Sequence, residues 1–557
     1  MTKQKLTMIE LFSGIGAQKR GIDNTGLYDL DVIATSDVDK EALVEYAAIH
    51  HGLTNEMIEN YESYPSREEM IEELKSRNIG MDFDKGIMYD WDKLLKKKTK
   101  EIEKYWLAMT LQNNLGDISK IKQLPEADCW FYSSPCQCFS LAGKQDGLAA
   151  TCNVCGQKYN PMDYDVEHRY ICPHCGSDDI KGTRSGLLLE VERLLIKAIE
   201  TNTAPKYLCL ENVKNLVGKQ FKPDFDAWVK RLEYLGYNTR WEILNAKTCG
   251  TPQNRERVFA FSIRKDIDTG KFTFPIPFDT GLRLKDILEK NVDERYYINT
   301  ERAANLIKQL IEKGQLKTNN QSILVKNQAT EVSKTIDTAN TLMARDWKGF
   351  GNQDMVAIVE SETLDSSKRL GGLWDGDCTH QAGSVWDTNG MSPTLDTAQG
   401  GGRMPHIVEN TIESSTNNKD TTKPICVGNT TPSGKSQCNA VYSTEGVSQT
   451  LCAGTHGYAT GSILEEIENG VEYNENIYRI RKLTVRECFA LMTFKYEDWD
   501  KCVAVGCSNT AGYKAAGNSI CCCCISLLFE HLYKAQYDET YICTDEKYAN
   551  FMSPEAE

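Results

Sequence analysis

The hydrophobic positions of this chain form short apolar runs near both ends, and each run gives way to a stretch with helical spacing. Runs of strand length lie at residues 6–11, 32–36, 129–132 and 207–210. Between them, apolar residues recur at helical intervals, as from Leu187 to Ile199. Strands that alternate with helices predict an α/β fold around an open sheet, and such sheets bind their ligands at the carboxyl ends of the strands.

Two long segments interrupt this alternation. Residues 54–112 are rich in Glu, Lys and Tyr with helical spacing, which predicts a surface helical insertion whose charge runs are solvated. Residues 276–476 are rich in Thr, Ser, Gly and Asn with short β-like runs, which predicts a mostly β second domain. Three similar Thr-Leu segments at residues 339–344, 391–396 and 447–452 predict that this second domain contains duplicated units.

Composition and charge narrow the class of protein. The 557 residues are 40% hydrophobic and 26% charged, with no evident export signal and no obvious apolar stretch of membrane-spanning length, which predicts a soluble cytoplasmic protein. The formal charge of -15 argues against nucleic-acid binding through bulk electrostatics, so such binding would use a few placed Arg, Lys and backbone groups. Because the chain shows no evident export signal and is large enough to fold without disulfides, the 21 cysteines indicate reduced thiols, metal ligands and a nucleophile.

One set of cysteines has metal-ligand spacing. Cys152 and Cys155 form one Cys-x2-Cys pair, Cys172 and Cys175 form a second, and a glycine follows each pair. This pattern predicts a structural zinc ribbon over residues 150–182, with all four tetrahedral positions filled by thiolates. Four unrelated buried thiols would not account for the two glycines. The adjacent cysteines 521–524 are interpreted as small apolar core residues, since neighbours on a helix point about 100° apart.

Three turns that follow apolar runs carry candidate chemistry. Pro135–Cys136 would hold a thiol at the carboxyl edge of the sheet, unless this thiol is a core cysteine in a sharp turn. Residues 12–17 contain a glycine pair typical of a nucleotide-binding βαβ unit, although an ordinary tight turn is an equal alternative. Asp37 ends the second run, where a carboxylate could bind the hydroxyls of a ribose.

Taken together, eight segments in chain order resemble the motifs of the DNA cytosine-5 methyltransferases. They are Phe12–Gly16, Asp37, Asp117–Ile118, Pro135–Ser140, Glu211–Val213, Gln253–Arg257, Arg486–Glu487 and Gly517–Ser519. The resemblance implies a Rossmann-like, S-adenosylmethionine-dependent methyltransferase sheet with helices on both faces. It also implies that residues 1–275 and 477–537 form the catalytic domain, 276–476 the target-recognition domain and 538–557 a tail.

The same resemblance implies a role for individual residues. Cys136 would attack carbon 6 of a flipped-out cytosine, Glu211 would donate a proton or hydrogen bond to nitrogen 3, and Arg257 would hold oxygen 2. Arg255 would brace the site, because residues two apart on an extended segment share a side. Gln137 and Ser140 would contact DNA. The implied S-adenosylmethionine contacts are Phe12, Gly14, Gly16, Asp37, Asp117, Ile118, Pro135, Asn518 and Ser519.

Several alternatives stay open at this point. Double-stranded DNA is the expected substrate of a monomeric enzyme, transfer RNA is the alternative, and a catalytically silent DNA-binding regulator is a further possibility. A cognate restriction endonuclease is compatible with the DNA-modifying function. The Thr-Leu repeats could belong to one recognition domain or to several recognition modules. The predicted ribbon at 150–182 interrupts the loop after Cys136, and it could contact DNA when that loop closes.

Overall fold

The computed structural model describes residues 3–82, 86–96, 100–135, 148–165, 167–182, 184–282, 284–296 and 476–542, together with the backbone of short strands between residues 324 and 473. Its centre is a mixed sheet of six strands, in the spatial order β5-β6-β4-β3-β1-β2. Strands β2, β1, β3 and β4 are parallel, whereas β6 is antiparallel to both β4 and β5. In chain order, β1 to β6 are Gln4–Leu11, Tyr28–Ser36, Cys129–Tyr132, Tyr207–Val213, Tyr237–Asn245 and Glu256–Arg264.

Helices cover both faces of this sheet. Successive side chains of β3 point to opposite faces: Phe131 packs into a core that includes residues of α1, α2, α6 and the C-terminal helices, and Trp130 packs into a core shared with α7 and α8. The predicted α/β architecture is therefore confirmed, and an all-apolar β3 is explained by its two covered faces. In chain order, α1 to α12 are Ala17–Thr25, Lys40–His50, Asn55–Asn60, Arg67–Ser76, Asp92–Leu95, Glu101–Leu111, Leu188–Glu200, Lys222–Tyr234, Val485–Leu491, Tyr496–Ala504, Asn509–Asn518 and Cys522–Tyr537.

The last helix closes the first part of the sheet. The Ser526 hydroxyl of α12 donates to the Gly21 carbonyl of α1 over 2.7 Å, and the Tyr28 hydroxyl donates to the Phe529 carbonyl over 2.9 Å. By length and composition the combined segment Asn509–Tyr537 could cross a membrane, in contrast to the expectation of no such stretch, but 67% of its most apolar part is buried inside the protein. Cysteines 521, 522 and 524 are buried in the same core, and Cys523 is half-buried. The apolar composition of this segment thus serves the core.

The helical insertion contains α3 to α6. Its charged residues Glu68 and Glu72 are exposed, yet Trp91, Leu107 and Met109 are fully buried in the core that contains α2. The insertion therefore extends the core as well as presenting a solvated surface. It also contains a short hairpin of Met81–Asp82 and Ile87–Met88.

The predicted recognition domain and its Thr-Leu repeats lie mostly outside the described residues. Glu289, near the start of the predicted 276–476 domain, is joined directly to Thr484 to Glu487, which follow that domain. The Glu289 carboxylate accepts hydrogen bonds from Thr484 and Arg486, and the Glu289 N–H donates to the Glu487 carboxylate over 2.9 Å. The described strands of the region are Leu324–Lys326, Ser333–Thr335, Arg369–Gly372, Ser384–Trp386, Cys426–Asn429, Ala440–Tyr442, Ser448–Gln449, Ser462–Tyr473 and Asn476–Lys482.

Candidate active site

The glycine turn after β1 lies at the carboxyl edge of the sheet and is anchored to β2. The Phe12 N–H donates to the Ser36 carbonyl over 2.7 Å, and the Gly14 N–H donates to Oδ2 of Asp37 over 2.8 Å. Phe12 has a φ of 61°, an uncommon conformation for an aromatic residue. Backbone strain of this kind is typical of ligand-binding turns, and the predicted residues Phe12, Gly14 and Asp37 are brought together here.

A buried polar cluster supports the turn from below. The His50 Nε2 atom lies 3.0 Å from the Ile15 carbonyl oxygen, and a Cβ at Gly16 would collide with the His50 ring. The Tyr46 hydroxyl donates to Glu10 over 2.6 Å, and Glu10 also accepts the Lys19 N–H over 2.8 Å. Burial raises the pKa of Glu10 to about 7. Gly16 is therefore required by close packing, and sequence patterns gave no signal for the histidine and tyrosine.

Asp37 lies next to a second carboxylate that is paired with a lysine. Burial, followed by the neighbouring Asp39 charge, raises the pKa of Asp37, while N–H donors from Asp39 and Gly14 oppose this shift. Burial also acts to raise the pKa of Asp39, but an ion pair with Lys514 outweighs it and lowers that pKa. Lys514, on α11, was not among the predicted site residues. Its positive charge acts on both Asp39 and Asp37.

Asp117 follows α6 and is buried at the same edge. Its Oδ1 atom accepts hydrogen bonds from the N–H and hydroxyl of Ser119 over 3.0 and 2.8 Å, and its Oδ2 atom accepts from Asn78 over 2.7 Å. The neighbouring Ile118 is 2% exposed and packs beside α7 and α8. Both residues thus lie close to the sheet edge, where a ligand of the glycine turn could reach the Asp117 carboxylate.

Glu211 and Arg257 form a buried ion pair on β4 and β6. Arg257 Nε lies 3.2 Å from Glu211 Oε1, and the two side chains are 13% and 9% exposed. Burial raises the pKa of Glu211, whereas the Arg257 and Arg255 guanidinium groups and Ser133 oppose that shift. Burial thus favours the protonated form of this carboxyl group, and the guanidinium groups favour the carboxylate.

Arg255 contacts a different element. Its Nη2 atom donates to the Gly517 and Ser519 carbonyls over 3.0 and 2.6 Å, at the end of α11. It still acts on the Glu211 charge, as the predicted bracing role requires, but its hydrogen bonds hold the C-terminal segment against β6. Ser519 is buried at this junction, and Asn518 is exposed.

The turn after β3 begins beside Glu211. The side chain of Asn212 donates to the Ser134 carbonyl over 3.0 Å, which fixes the segment leading to Pro135. The predicted nucleophile Cys136 and the predicted DNA contacts Gln137 and Ser140 lie outside the described residues. Strand β3 is adjacent to β4 with Tyr132 opposite Leu210, so the chain leaves β3 next to the Glu211–Arg257 pair.

The four predicted metal ligands form a compact cluster. Their sulfur atoms all lie within 4.8 Å of one another, with Cys152 and Cys175 3.6 Å apart and Cys155 and Cys172 3.5 Å apart. Gly156 and Gly176 share a φ of 73°, and each donates its N–H over 2.9 Å to the first cysteine of its pair. These two equivalent turns fit a tetrahedral thiolate site, since Zn–S bonds of about 2.3 Å place sulfurs slightly under 4 Å apart.

A buried ion network attaches this cysteine-rich segment to the helices on one face of the sheet. Arg169 is 2.8 Å from Glu192 of α7, both side chains are 1% exposed, and Arg231 of α8 lies 3.2 Å from the same carboxylate. The Tyr170 hydroxyl donates to Glu190 over 2.8 Å. The segment is therefore held rigidly on α7 and α8.

Comparison with known proteins finds extensive similarity. The family model described as C-5 cytosine-specific DNA methylase matches residues 89–154 and 174–534. A type II methyltransferase of Lactococcus lactis subsp. cremoris is 36% identical over 302 residues, covering 54% of this chain and 72% of that protein. An orphan methyltransferase of Bacillus phage SPbeta is 27% identical over 561 aligned positions, covering 95% of this chain and 97% of that protein. The solved structure of an Entamoeba histolytica methyltransferase aligns with a TM-score of 0.41 and 14% identity, covering 96% of this chain and 99% of that one.

Proposed function

Since the chain belongs to the C-5 cytosine-specific DNA methylase family, and is therefore a DNA cytosine-5 methyltransferase, we propose that the residues at the carboxyl edge of its sheet form the active site. The observation that carries this proposal is the buried Glu211–Arg257 pair beside the end of β3. Methyl transfer to carbon 5 requires a nucleophile, a proton donor and an oxygen clamp around one base, and these residues can supply the last two.

Cys136 is the proposed nucleophile. Carbon 5 of cytosine is a poor nucleophile, so addition of a thiolate at carbon 6 is needed to make it reactive toward a methyl donor. The Asn212–Ser134 hydrogen bond holds the backbone two residues before this thiol. The cytosine must leave the duplex to reach it, because a stacked base shields both carbons. In this proposal Gln137 and Ser140 contact the DNA during flipping.

Glu211 and Arg257 manage the charge that this addition creates. Thiolate addition moves electron density toward nitrogen 3 and oxygen 2 of the ring. Glu211, with its raised pKa, donates a proton to nitrogen 3, and Arg257 holds oxygen 2. Loss of the carbon 5 proton and release of Cys136 then restore the aromatic ring.

The glycine turn and its acidic neighbours bind the methyl donor in this proposal. S-adenosylmethionine, when bound, supplies an electrophilic methyl group. Phe12, Gly14 and Gly16 allow close approach of the turn, Asp37 accepts the ribose hydroxyls, and Asp117 with Ile118 receives the adenine. Pro135, Asn518 and Ser519 complete the predicted set. Their proximity at one sheet edge supports this assignment.

Trapping of a covalent adduct tests the nucleophile. In 5-fluorocytosine, carbon 5 carries a fluorine in place of the proton that must leave at the end of the reaction. With this base at the target sites, the Cys136 adduct should accumulate, and the protein should remain attached to the DNA in a denaturing gel. We expect Cys136→Ser to form no adduct, whereas Cys507→Ser, a change at a partly exposed cysteine that follows α10, should form it normally. An adduct on the Cys136 variant would overturn the assignment.

The cysteine cluster is proposed to bind structural zinc through Cys152, Cys155, Cys172 and Cys175. The equivalent turns and short sulfur–sulfur distances support tetrahedral thiolate coordination. All four positions would be taken by protein, so this metal would stabilise the segment rather than activate water.

Residues 276–476 are proposed to recognise the target sequence in double-stranded DNA, with the chain acting as a cytoplasmic monomer. Their position between the two parts of the catalytic domain and their Thr-Leu repeats support this role. Deletion of residues 370–424 distinguishes one recognition domain from several modules: loss of one methylated motif with others retained favours modules, whereas loss of all methylation favours a single domain. A cognate restriction endonuclease stays a prediction.

A further inference from the structure

The helical insertion contacts the cofactor edge through the turn that ends α4. The Asp117 N–H donates to the Arg77 carbonyl over 2.9 Å, and a Cβ at Gly116 would collide with that carbonyl. The Gly80 N–H donates to the Val38 carbonyl over 2.7 Å, one residue after Asp37. The insertion therefore touches the backbone beside both carboxylates that are proposed to bind the cofactor.

Asn78, within this turn, is fixed at both ends of its side-chain amide. Its Nδ2 atom donates to Oδ2 of Asp117 over 2.7 Å, and its Oδ1 atom accepts from Lys120 Nζ over 2.7 Å. Lys120 is itself held by the Ser76 carbonyl, 2.9 Å away. Asn78 has a φ of 58°, a left-handed conformation that asparagine tolerates better than most residues.

The two carboxylate oxygens of Asp117 accept different numbers of hydrogen bonds. A carboxylate offers about four lone-pair sites, two on each oxygen. The Oδ1 atom uses both of its sites on Ser119, whereas Oδ2 accepts one hydrogen bond, from Asn78, among the described residues. Asp117 is only 5% exposed, so water access is limited. The second site of Oδ2 is the acceptor available to a ligand.

We propose that Asn78 is a positioning residue for the cofactor, which fixes Oδ2 of Asp117 so that this atom accepts a hydrogen bond from the amino group of adenine. The inference rests on the proposed function, because it takes Asp117 as the adenine contact. It gives the inserted helices a part in cofactor selection. An inosine analogue, with a carbonyl oxygen in place of that amino group, would meet the carboxylate with like polarity and be rejected.

Calorimetric binding of S-adenosylhomocysteine and S-inosylhomocysteine tests this inference. Asn78→Gly removes the amide and keeps a residue suited to positive φ. We expect it to bind S-adenosylhomocysteine about 5- to 20-fold more weakly, with reduced preference over the inosine analogue, because a charge-assisted hydrogen bond no longer orders Asp117. Saturating S-adenosylmethionine should restore kcat to within about twofold. Asn202→Gly makes the same change at another left-handed asparagine, φ 55°, after α7, and should bind like the wild type.

Asn78→Asp provides a second, nearly isosteric variant. It places a carboxylate against that of Asp117, so S-adenosylhomocysteine binding should weaken at neutral pH and improve as acid protonates one of the pair. Wild-type affinity and selectivity in both Asn78 variants would overturn the positioning role while leaving the active-site proposal intact. A wild-type chain that binds both analogues equally would instead show that Asp117 does not distinguish the amino group of adenine from a carbonyl oxygen.

Discussion

Glu211 is held between two opposing influences, and its chemistry depends on their balance. Burial favours the neutral carboxyl, and Arg257, 3.2 Å away, favours the carboxylate. Because burial raises its pKa, this carboxyl group holds a proton more readily than an exposed glutamate, as a proton donor to the cytosine ring requires. In the proposed active site, the arginine that would hold the ring oxygen thus also lowers the pKa of the proposed proton donor.

Replacement of this carboxyl separates its two roles. Because burial raises the pKa of Glu211, activity of the wild type should fall as the pH rises through that pKa and Glu211 loses its proton. Glu211→Gln keeps a hydrogen-bond donor but cannot titrate, so we expect kcat/KM to drop about 10²- to 10⁴-fold and the alkaline fall to vanish. Radioactive methyl transfer measured from pH 6 to 9.5 checks this. An alkaline fall that persists in the variant would assign that titration to another group.

Motifs in the sequence identified individual candidate site residues, but they did not identify the side chains and carbonyls that those residues contact. Asp37, Asp117, Glu211 and Arg257 were identified by their order in motifs, and the structure brings them to one edge of the sheet. Asn78, Lys514 and His50 gave no signal, because their positions depend on packing between segments far apart in the chain. The bracing role of Arg255 stays a prediction, and its hydrogen bonds to two backbone carbonyls follow only from the fold.

At the scale of elements, the cysteine-rich segment is a small unit attached to α7 and α8 by polar contacts. Arg169 is almost fully buried and paired with Glu192. Such a pair costs desolvation and is strongly destabilising when one partner is removed. The cysteine-rich segment must therefore be stable enough to keep Arg169 in place, and bound zinc would stabilise it.

Loss of one cysteine should remove the metal. Cys152 is fully buried, and Cys152→Ser replaces a thiolate with a poor zinc ligand. We expect zinc content to fall from about one ion per chain to near zero, with new tryptic cleavage within residues 150–182. Metal analysis and limited proteolysis measure the two effects, with Cys507→Ser as the matched change. Unaltered zinc content would show that the four sulfurs are not the ligand set.

The contact between α1 and α12 depends on a glycine. A Cβ at Gly21 would lie 2.6 Å from Ile525 Cβ and 2.8 Å from the Cys522 carbonyl oxygen. We expect Gly21→Ala to lower the free energy of unfolding by about 1–3 kcal/mol, because backbone must shift to relieve the overlap. Gly182→Ala, which meets open space, should have little effect. Urea unfolding measures the free energy of unfolding of both variants. Equal values would mean that α1 and α12 can move apart without an energetic cost.

Elements were predictable where burial on both sides left a clear apolar run. Strand β3 was located at residues 129–132 from its composition alone, and the structure gives the same bounds. The C-terminal helices were harder, because their apolar surface resembles a membrane segment until α1 and the sheet are seen to cover it. The insertion was recognised as helical, but its buried face depends on α2 and could not be inferred.

For the whole molecule, the predicted recognition region enters and leaves the catalytic domain at one place. Glu289 on the entering segment bonds to Thr484, Arg486 and Glu487 on the leaving segment. The catalytic domain therefore has its own closed set of contacts around this entry point.

Removal of the recognition region should leave that domain folded. With residues 297–482 replaced by a 12-residue Gly/Ser linker, which spans about 20 Å, the protein should bind S-adenosylhomocysteine within about threefold of the wild type. Methylation of DNA should be lost, because target contacts are gone. Calorimetry and a methyl-transfer assay give the two readouts. A folded product that cannot bind S-adenosylhomocysteine would show that the recognition region contributes to the cofactor site.

The packing of α12 on α1 sets the order in which the enzyme can mature. About 500 residues separate these two helices along the chain, and a ribosome needs about 25 to 100 s to translate that distance. During that interval the apolar surface of α1 and β2 is uncovered. The Arg255 guanidinium also lacks the Gly517 and Ser519 carbonyls that accept its hydrogen bonds in the folded protein. A chain whose translation has not yet reached α12 thus lacks part of its core, so we expect methyl transfer only after α12 has been made.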